Sequence, residues 1–284
     1  MSEQINNAIE WGRARCAAIS DTPKLDAELL LAHSIGKTRS YLYSWPEQQL
    51  TRNDWQQFQS LIARRREPTP VAYLLGEREF FSLSLKTSPV ALVPRPETEL
   101  LVETTLAICS YQPGVDLLEL GTGTGAIAIA LKVECPKISI VATDISSHCL
   151  ELAQLNADRH KLRIDWIRSD WFAQIDRRFD FIVSNPPYIS ATDPALEQGD
   201  LPAEPRIALS PGPTGLEALE VIIAESPNYL KPGGYLLLEH GFDQENEVAC
   251  LMREHGFIDI DCKPDLNGLP RVSLGQLDTC AITP

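Results

Sequence analysis

Residues 117–125, LLELGTGTG, restrict what this chain can fold into more than any other stretch. An apolar run stops at three glycines set at alternate positions, and a helical run over residues 126–133 begins directly after them. A strand that turns through glycines into a helix is half of a crossover unit, and crossover units lay their strands parallel in one sheet. The pattern repeats. Residues 115–120, 138–143, 164–168, 179–184 and 235–239 read as strands, with helical stretches such as 147–159 and 215–230 between them. Most of these runs are continuously apolar, as strands covered on both faces must be. Two later strands, near residues 258–262 and 271–277, lack a long intervening helix and suit an antiparallel pair. The expected fold is α/β: a Rossmann-like, doubly wound sheet with an antiparallel edge.

The first 66 residues have a different texture. Ile5, Ala8, Ile9 and Gly12 keep a period near 3.6, Pro23 opens a second helical run, and Thr51 caps a third. Arg64-Arg65-Arg66 and Pro68-Thr69-Pro70 end that texture, and residues 79–86 then alternate as a strand does. We expect a helical domain at 1–75, a β-hairpin linker at 76–92 and the sheet domain at 93–284.

Charge is distributed unevenly. Residues 1–92 hold 11 Lys and Arg against 10 Asp and Glu, whereas residues 93–284 hold 14 against 29. So acidic a domain repels a phosphate backbone and is better matched to a basic protein partner. The seven cysteines (16, 109, 135, 149, 250, 262 and 280) include no Cys-x-x-Cys pair, and their odd number argues against a disulfide framework. The histidines form no ligand pattern either, so no metal is expected. No window approaches the roughly 18 apolar residues of a membrane span. A soluble, cytoplasmic monomer is the expectation.

The glycine loop carries chemistry. Dinucleotide-binding loops use Gly-x-Gly-x-x-Gly and set a pyrophosphate on the helix N-terminus. Here Gly121, Thr122, Gly123, Thr124 and Gly125 give Gly-x-Gly-x-Gly, with Glu119 just upstream. A carboxylate there opposes a pyrophosphate and favours an ammonium group. S-adenosyl-L-methionine has an ammonium and a sulfonium but no phosphate, so charge selects it over NAD. Asp144 ends the next strand, where a carboxylate can accept both ribose hydroxyls. Asp170 and Trp171 end the strand after that, offering an acceptor for an adenine amine and an apolar face for the ring. Three successive strand ends thus present groups suited to one cofactor.

The fourth strand runs into Asn185-Pro186-Pro187-Tyr188. A planar NH2 group is a poor nucleophile, because its lone pair is delocalised, and it carries two N–H donors. The Asn185 side-chain oxygen and the Pro186 carbonyl can accept both, turning the lone pair toward the methyl group. Proline fixes its own φ and restricts its predecessor, so these oxygens are held in place. Tyr188 supplies a flat face. Transfer would then be an in-line displacement driven by positioning and electrostatics. The tetrapeptide specifies a planar NH2 and no more: glutamine carboxamides and the exocyclic amine of adenine in DNA or RNA both qualify.

Longer stretches narrow the choice. AYLLGEREFFSLSLKTSPVALVPRPETE at 72–99, LELGTGTGAIAIAL, SDWF, VSNPPYIS and Leu236-Leu-Leu-Glu-His-Gly241 together resemble the bacterial release factor glutamine methyltransferases, the protein-(glutamine-N5) methyltransferases. That resemblance implies a seven-stranded class I methyltransferase domain preceded by a helical substrate-recognition bundle and a hairpin. It implies methylation of the glutamine side-chain amide in the Gly-Gly-Gln motif of peptide chain release factors. Gly121 to Gly125, Asp144 and Trp171 match the family's cofactor contacts, and Asn185 to Tyr188 its glutamine-holding motif. The family's segment at 94–99 closes over the cofactor cleft, although proline and acidic residues also suit a plain helix start. Glu239-His240 reads as a structural strand end. One departure stands out: Pro202-Ala203 precedes Glu204-Pro205, where many members have a basic-aromatic pair.

Overall fold

Leu117 and Leu118 are both fully buried, yet they join different clusters. Successive side chains of a strand point to opposite faces, so the continuous apolar runs supply two cores at once. Leu117, Ile140, Phe181, Val183 and Leu237 pack on one face of the sheet, and Leu118, Val141, Ile182, Leu236 and Leu238 on the other.

The computed structural model describes residues 3–109 and 114–279; Cys280 and the outer ends of the expected domains, residues 1–2 and 280–284, fall outside these. The chain divides into two compact units. One comprises the residues up to Glu77 together with Thr87–Pro89 and Pro194–Glu204; the other comprises Arg78–Lys86, Val90–Asp193 and the chain from Pro205 onward.

The first unit is helical: α1 (Ile5–Cys16), α2 (Pro23–Ser34), α3 (Arg39–Ser44), α4 (Arg52–Arg65) and α5 (Val71–Leu75). Its core joins Ile5, Ala8, Leu30, Leu31, Phe58 and Ile62. Gly12 allows the close approach of three helices, since a Cβ there would stand 2.8 Å from Phe58 and 3.0 Å from the Ala27 methyl. Thr51 caps α4 by accepting from the Asp54 amide at 3.2 Å. The chain enters this unit a second time, which the expected ranges 1–75, 76–92 and 93–284 do not include. Arg65, 3 % exposed, donates to Asp26 at 2.7 Å and to Asp200 at 2.6 Å. A buried guanidinium needs such partners, and one of them comes from residues 194–204.

The second unit holds the hairpin β1 (Glu77–Phe80) and β2 (Leu83–Lys86), apart from Glu77, and a seven-stranded sheet. Its strands are β3 (Asp116–Leu120), β4 (Ser139–Asp144), β5 (Asp165–Arg168), β6 (Phe179–Ser184), β7 (Leu230–Glu239), β8 (Phe257–Pro264) and β9 (Pro270–Leu277). The order is β5-β4-β3-β6-β7-β9-β8. β3 to β7 run parallel, whereas β9 pairs antiparallel with β7 and with β8. The expected α/β sheet with an antiparallel edge is what forms. Helices α6 (Glu99–Cys109), α7 (Ala126–Glu134), α8 (Ser147–Arg159), α9 (Glu217–Glu225) and α10 (Glu245–Glu254) complete the unit. The chain builds β3, β4 and β5 outward in one direction and then places β6 on the other side of β3. Open α/β sheets bind ligands at such a reversal, outside the carboxyl ends of the strands. Among the described residues no helix is long and apolar enough to cross a membrane, and no group of three His, Cys, Asp or Glu could hold a metal ion.

Candidate functional site

A cavity of about 520 Å³ opens at that reversal, within the second unit and within the roughly 300–1,000 Å³ usual for small-ligand sites. Its walls include Gly121 to Thr124, Asp144, Asp170, Trp171, Asn185, Pro186 and Pro187. The three strand ends and the tetrapeptide, up to 67 residues apart in the chain, therefore meet at one cleft. The Ser184 hydroxyl donates to the Leu120 carbonyl at 2.8 Å, tying the strand before the tetrapeptide to the strand before the glycine loop.

The loop is folded by its own backbone. Thr122 N–H donates to the Thr143 carbonyl and Gly125 N–H to the Thr122 carbonyl, each at 2.8 Å. Gly125 has φ +81°, and a Cβ there would lie 3.1 Å from the Ala153 methyl and 3.2 Å from the Trp166 ring. The position thus needs glycine both for its left-handed backbone and for space. Gly125 is buried behind the surface that Gly121 to Thr124 present to the cleft.

Glu119 is not on the cleft wall. It is 0 % exposed, and its Oε2 accepts from the Thr122 hydroxyl at 2.9 Å and from the Ala128 amide at 3.0 Å. The carboxylate organises the loop and the first turn of α7; no ammonium group in the cleft meets it directly. From sequence, an acidic residue beside the loop is expected to be open to a ligand, whereas here β3 is covered on both faces and Glu119 is buried with it. Burial pushes its pKa up to about 8, against the Thr122 and Ala128 hydrogen bonds that lower it. The folded state therefore keeps a proton that the unfolded chain releases above about pH 4.5, and stability falls as pH rises from there toward 8. Glutamine can accept the same two bonds without titrating. Glu119→Gln should gain on the parent protein across that window, with a ceiling of about 4–5 kcal/mol; urea unfolding at pH 5 and pH 9 reads the difference. A stability gap that does not change with pH would count against a buried titrating carboxyl.

Asp144 is held with both oxygens in use. Oδ2 accepts from the Gly123 amide and Oδ1 from the Ser146 amide, each at 2.9 Å. Burial raises its pKa, opposed by those amides. The carboxylate lies on the cleft wall, where it is the acceptor available to a vicinal diol. Trp171 is half-buried, with φ +42°, and lies along the wall beside the exposed Asp170. A diol acceptor, a flat apolar face and a glycine loop without phosphate-binding cations fit S-adenosyl-L-methionine. Among the described residues, Arg95 is the one basic side chain on the wall, opposite in charge to that ligand's carboxylate.

The tetrapeptide is clamped from several sides. Asn185 Nδ2 donates to Thr98 Oγ1 at 2.9 Å. The Tyr188 hydroxyl does not face the cleft; it donates to Glu239 Oε1 at 3.2 Å. Burial and the Glu239 charge hold Tyr188 well above the usual phenol range. Gln244 donates to the Tyr188 carbonyl at 3.1 Å and the Gly215 carbonyl at 3.3 Å, while its oxygen accepts from the Gly241 amide at 2.8 Å. Glu239 reads from sequence as a strand end and Thr98 as part of the 94–99 segment, and Gln244 is not singled out there; the partnerships of all three are found only in the fold. The signal that finds Glu239 is strand register: Ser184 pairs with Leu238, which sets the next residue of β7 beside the start of the tetrapeptide. His240 is structural, bonded through its two ring nitrogens to the Gly241 carbonyl and to Ser273 Oγ, each at 2.8 Å.

Comparison with known proteins gives a consistent picture. The family described as PrmC N-terminal domain matches residues 7–76, and the Methyltransferase small domain matches residues 96–198. The Release factor glutamine methyltransferase of Pseudomonas aeruginosa is 46% identical over 259 residues, covering 90% of this chain and 94% of the relative. Its namesake from Shewanella oneidensis is 40% identical over 274 residues, covering 96% of each. Among solved structures, a ribosomal protein L11 methylase from Lactobacillus delbrueckii subsp. bulgaricus superposes with a TM-score of 0.51 at 22% identity, over 67% of this chain and 83% of that one. A methyltransferase from Pyrococcus furiosus does so at 0.53 and 20%, over 70% and 90%. These two structures share the fold.

Proposed function

The chain belongs to the release factor glutamine methyltransferase family, and from that premise we propose which of its atoms carry out the reaction. The protein is an enzyme that transfers a methyl group from S-adenosyl-L-methionine to the side-chain amide N5 of the glutamine in the Gly-Gly-Gln motif of peptide chain release factors. When bound, the cofactor supplies a sulfonium-activated methyl group as the electrophile. The assignments of individual residues are ours.

Asn185 Oδ1 and the Pro186 carbonyl accept the two N–H groups of the glutamine amide and hold its nitrogen toward the methyl group. The observation that carries this reading is the Asn185 contact with Thr98: with Nδ2 already committed, Oδ1 is the atom left to face a substrate. The nitrogen becomes acidic as it is methylated, so its proton leaves late and no strong base is needed beforehand. Asp144 receives the ribose hydroxyls, Trp171 and Asp170 the adenine, and the backbone of Gly121 to Gly125 lies beside the methionine portion. Glu119, Thr122 and Thr124 shape that loop. Pro187 fixes the approach of the chain into the site, and Tyr188 anchors it. The helical unit serves substrate recognition, because a tripeptide alone offers too little surface for specificity. The protein acts in the cytoplasm as a monomer, without a nucleic-acid substrate.

An N6-adenine transferase would use the same tetrapeptide, and labelled cofactor separates the two. Whole release factor should be methylated, its Gln→Ala variant in Gly-Gly-Gln should not, and duplex DNA should stay unlabelled. Label on DNA, or undiminished label on the variant, would refute the assignment.

A further inference from the structure

The Asn185 carboxamide is nearly symmetric in shape, so packing alone does not decide which of its ends faces a substrate. Its two ends nevertheless have opposite chemistry. Oxygen toward a glutamine NH2 accepts; nitrogen in that place opposes donor to donor. The decision is made by hydrogen-bond direction, two residues away from the reacting atoms.

Thr98 Oγ1 lies 2.9 Å from Asn185 Nδ2. Glu239 keeps one buried carboxylate oxygen, Oε2, without a partner among the described residues, and the Thr98 hydroxyl is the first group that lowers the pKa which burial raises there. A hydroxyl has one proton to give, and an ionised carboxylate can only accept. The Thr98 proton therefore points at Glu239, and a lone pair is what remains for Asn185. An amide nitrogen can use that lone pair, whereas an amide oxygen cannot. Glu239 is 1 % exposed and absent from the cleft wall, so it reaches substrate only through its neighbours. It also accepts the Tyr188 hydroxyl at 3.2 Å, which brings both ends of the tetrapeptide onto one carboxylate.

We propose that Glu239 and Thr98 are positioning residues for methyl transfer: Glu239 accepts the Thr98 hydroxyl hydrogen bond, the Thr98 oxygen thereby accepts from the Asn185 nitrogen, and Oδ1 is locked toward the substrate amide. This rests on the reading that Asn185 Oδ1 accepts from the glutamine NH2. It assigns a purpose to a buried acidic residue that sits at a strand end, 51 residues beyond Tyr188.

Kinetics of four variants with whole release factor, at about pH 8, test the idea. That pH lies above the value of about 7 to which burial raises Glu239, opposed by the Thr98 and Tyr188 hydroxyls. Thr98→Val keeps the shape and removes the hydroxyl. It should lower kcat about 10- to 100-fold, the scale of one lost orienting hydrogen bond, with KM for release factor and cofactor Kd each within about threefold. Thr98→Ser, which restores the hydroxyl, should recover most of the loss. Glu239→Met should lower kcat at least as far as Thr98→Val does, and the double variant should be no worse than Glu239→Met, because the two act in series. Thermal melts establish that each variant is folded; should Glu239→Met not fold, the valine and serine pair still decides the matter. Wild-type kcat in Thr98→Val, a loss confined to KM or Kd, failure of serine to rescue, or multiplying effects in the double variant would each overturn the proposal. Asn185→Ala separates this from the underlying reading. If it abolishes turnover while Thr98→Val does not, the positioning role alone fails; if it turns over normally, both fail.

Discussion

Asn185→Ala should bind S-adenosyl-L-methionine within a few-fold of the parent protein and turn over about 100- to 1,000-fold more slowly, the usual effect of removing one preorganised group that meets charge developing in a transition state. The reason lies in what alanine removes. The glutamine nitrogen gains positive character as it takes the methyl group, and its N–H bonds polarise. An oxygen fixed against one of them is worth more at that moment than in the ground state, which is the condition for raising kcat and not merely lowering KM. The cofactor keeps the glycine loop, Asp144 and Trp171, none of which depends on the Asn185 side chain for a hydrogen bond. Isothermal titration with cofactor and single-turnover methylation of release factor give the two numbers separately. Turnover within threefold of the parent protein would sink the two-acceptor account. A parallel collapse of cofactor affinity would instead make Asn185 a binding residue.

The elements that carry this chemistry were legible to different degrees, for identifiable reasons. The parallel strands announce themselves because burial on both faces leaves a strand no polar positions, and β3, β4 and β6 appear within a residue of where the apolar runs place them. The glycine loop and the tetrapeptide are local: spacing alone defines them, and each lands on the cleft. Glu119 shows the limit of local reading. Sequence reports that an acid stands two residues before Gly121, but not that the Thr122 hydroxyl and the Ala128 amide fold back onto it, and those partners decide between a ligand contact and a buried support for the loop. Thr98 and Glu239 were out of reach for another reason. They act on Asn185 and Tyr188 across separations of 87 and 51 residues; the register between β6 and β7 accounts for Glu239, and Thr98 arrives from the turn before α6, which no strand pairing places. Pro194–Glu204 illustrates the same point for architecture, since only the buried Arg65 partnership reveals which unit the segment joins.

Alanine at Gly125 should destabilise the protein by about 2–5 kcal/mol and weaken cofactor binding at least tenfold, while alanine at Gly123 should cost only about 1–2 kcal/mol. Both residues have left-handed backbones, φ +81° and φ +55° respectively, which an L side chain occupies at a cost of about 1–2 kcal/mol. They differ in surroundings. A methyl at 123 would find its nearest neighbour, the Ala91 methyl, 3.9 Å away, an ordinary contact. A methyl at 125 would press at 3.1 Å on Ala153 and Ile129 and at 3.2 Å on Trp166; overpacking of that kind adds about 1–3 kcal/mol. The neighbours that must yield belong to α7, α8 and β5, so the strain passes into the elements that set the loop against Asp144, whose Oδ2 holds the Gly123 amide. Loss of affinity at 125 would thus arise from displacement of the loop, since the Gly125 position itself is not on the cleft wall. Urea unfolding and cofactor titration of the two variants, measured side by side, establish the order. Equal stability of Gly125→Ala and Gly123→Ala would show that left-handed backbone alone, and not packing behind the loop, explains why the third glycine is there.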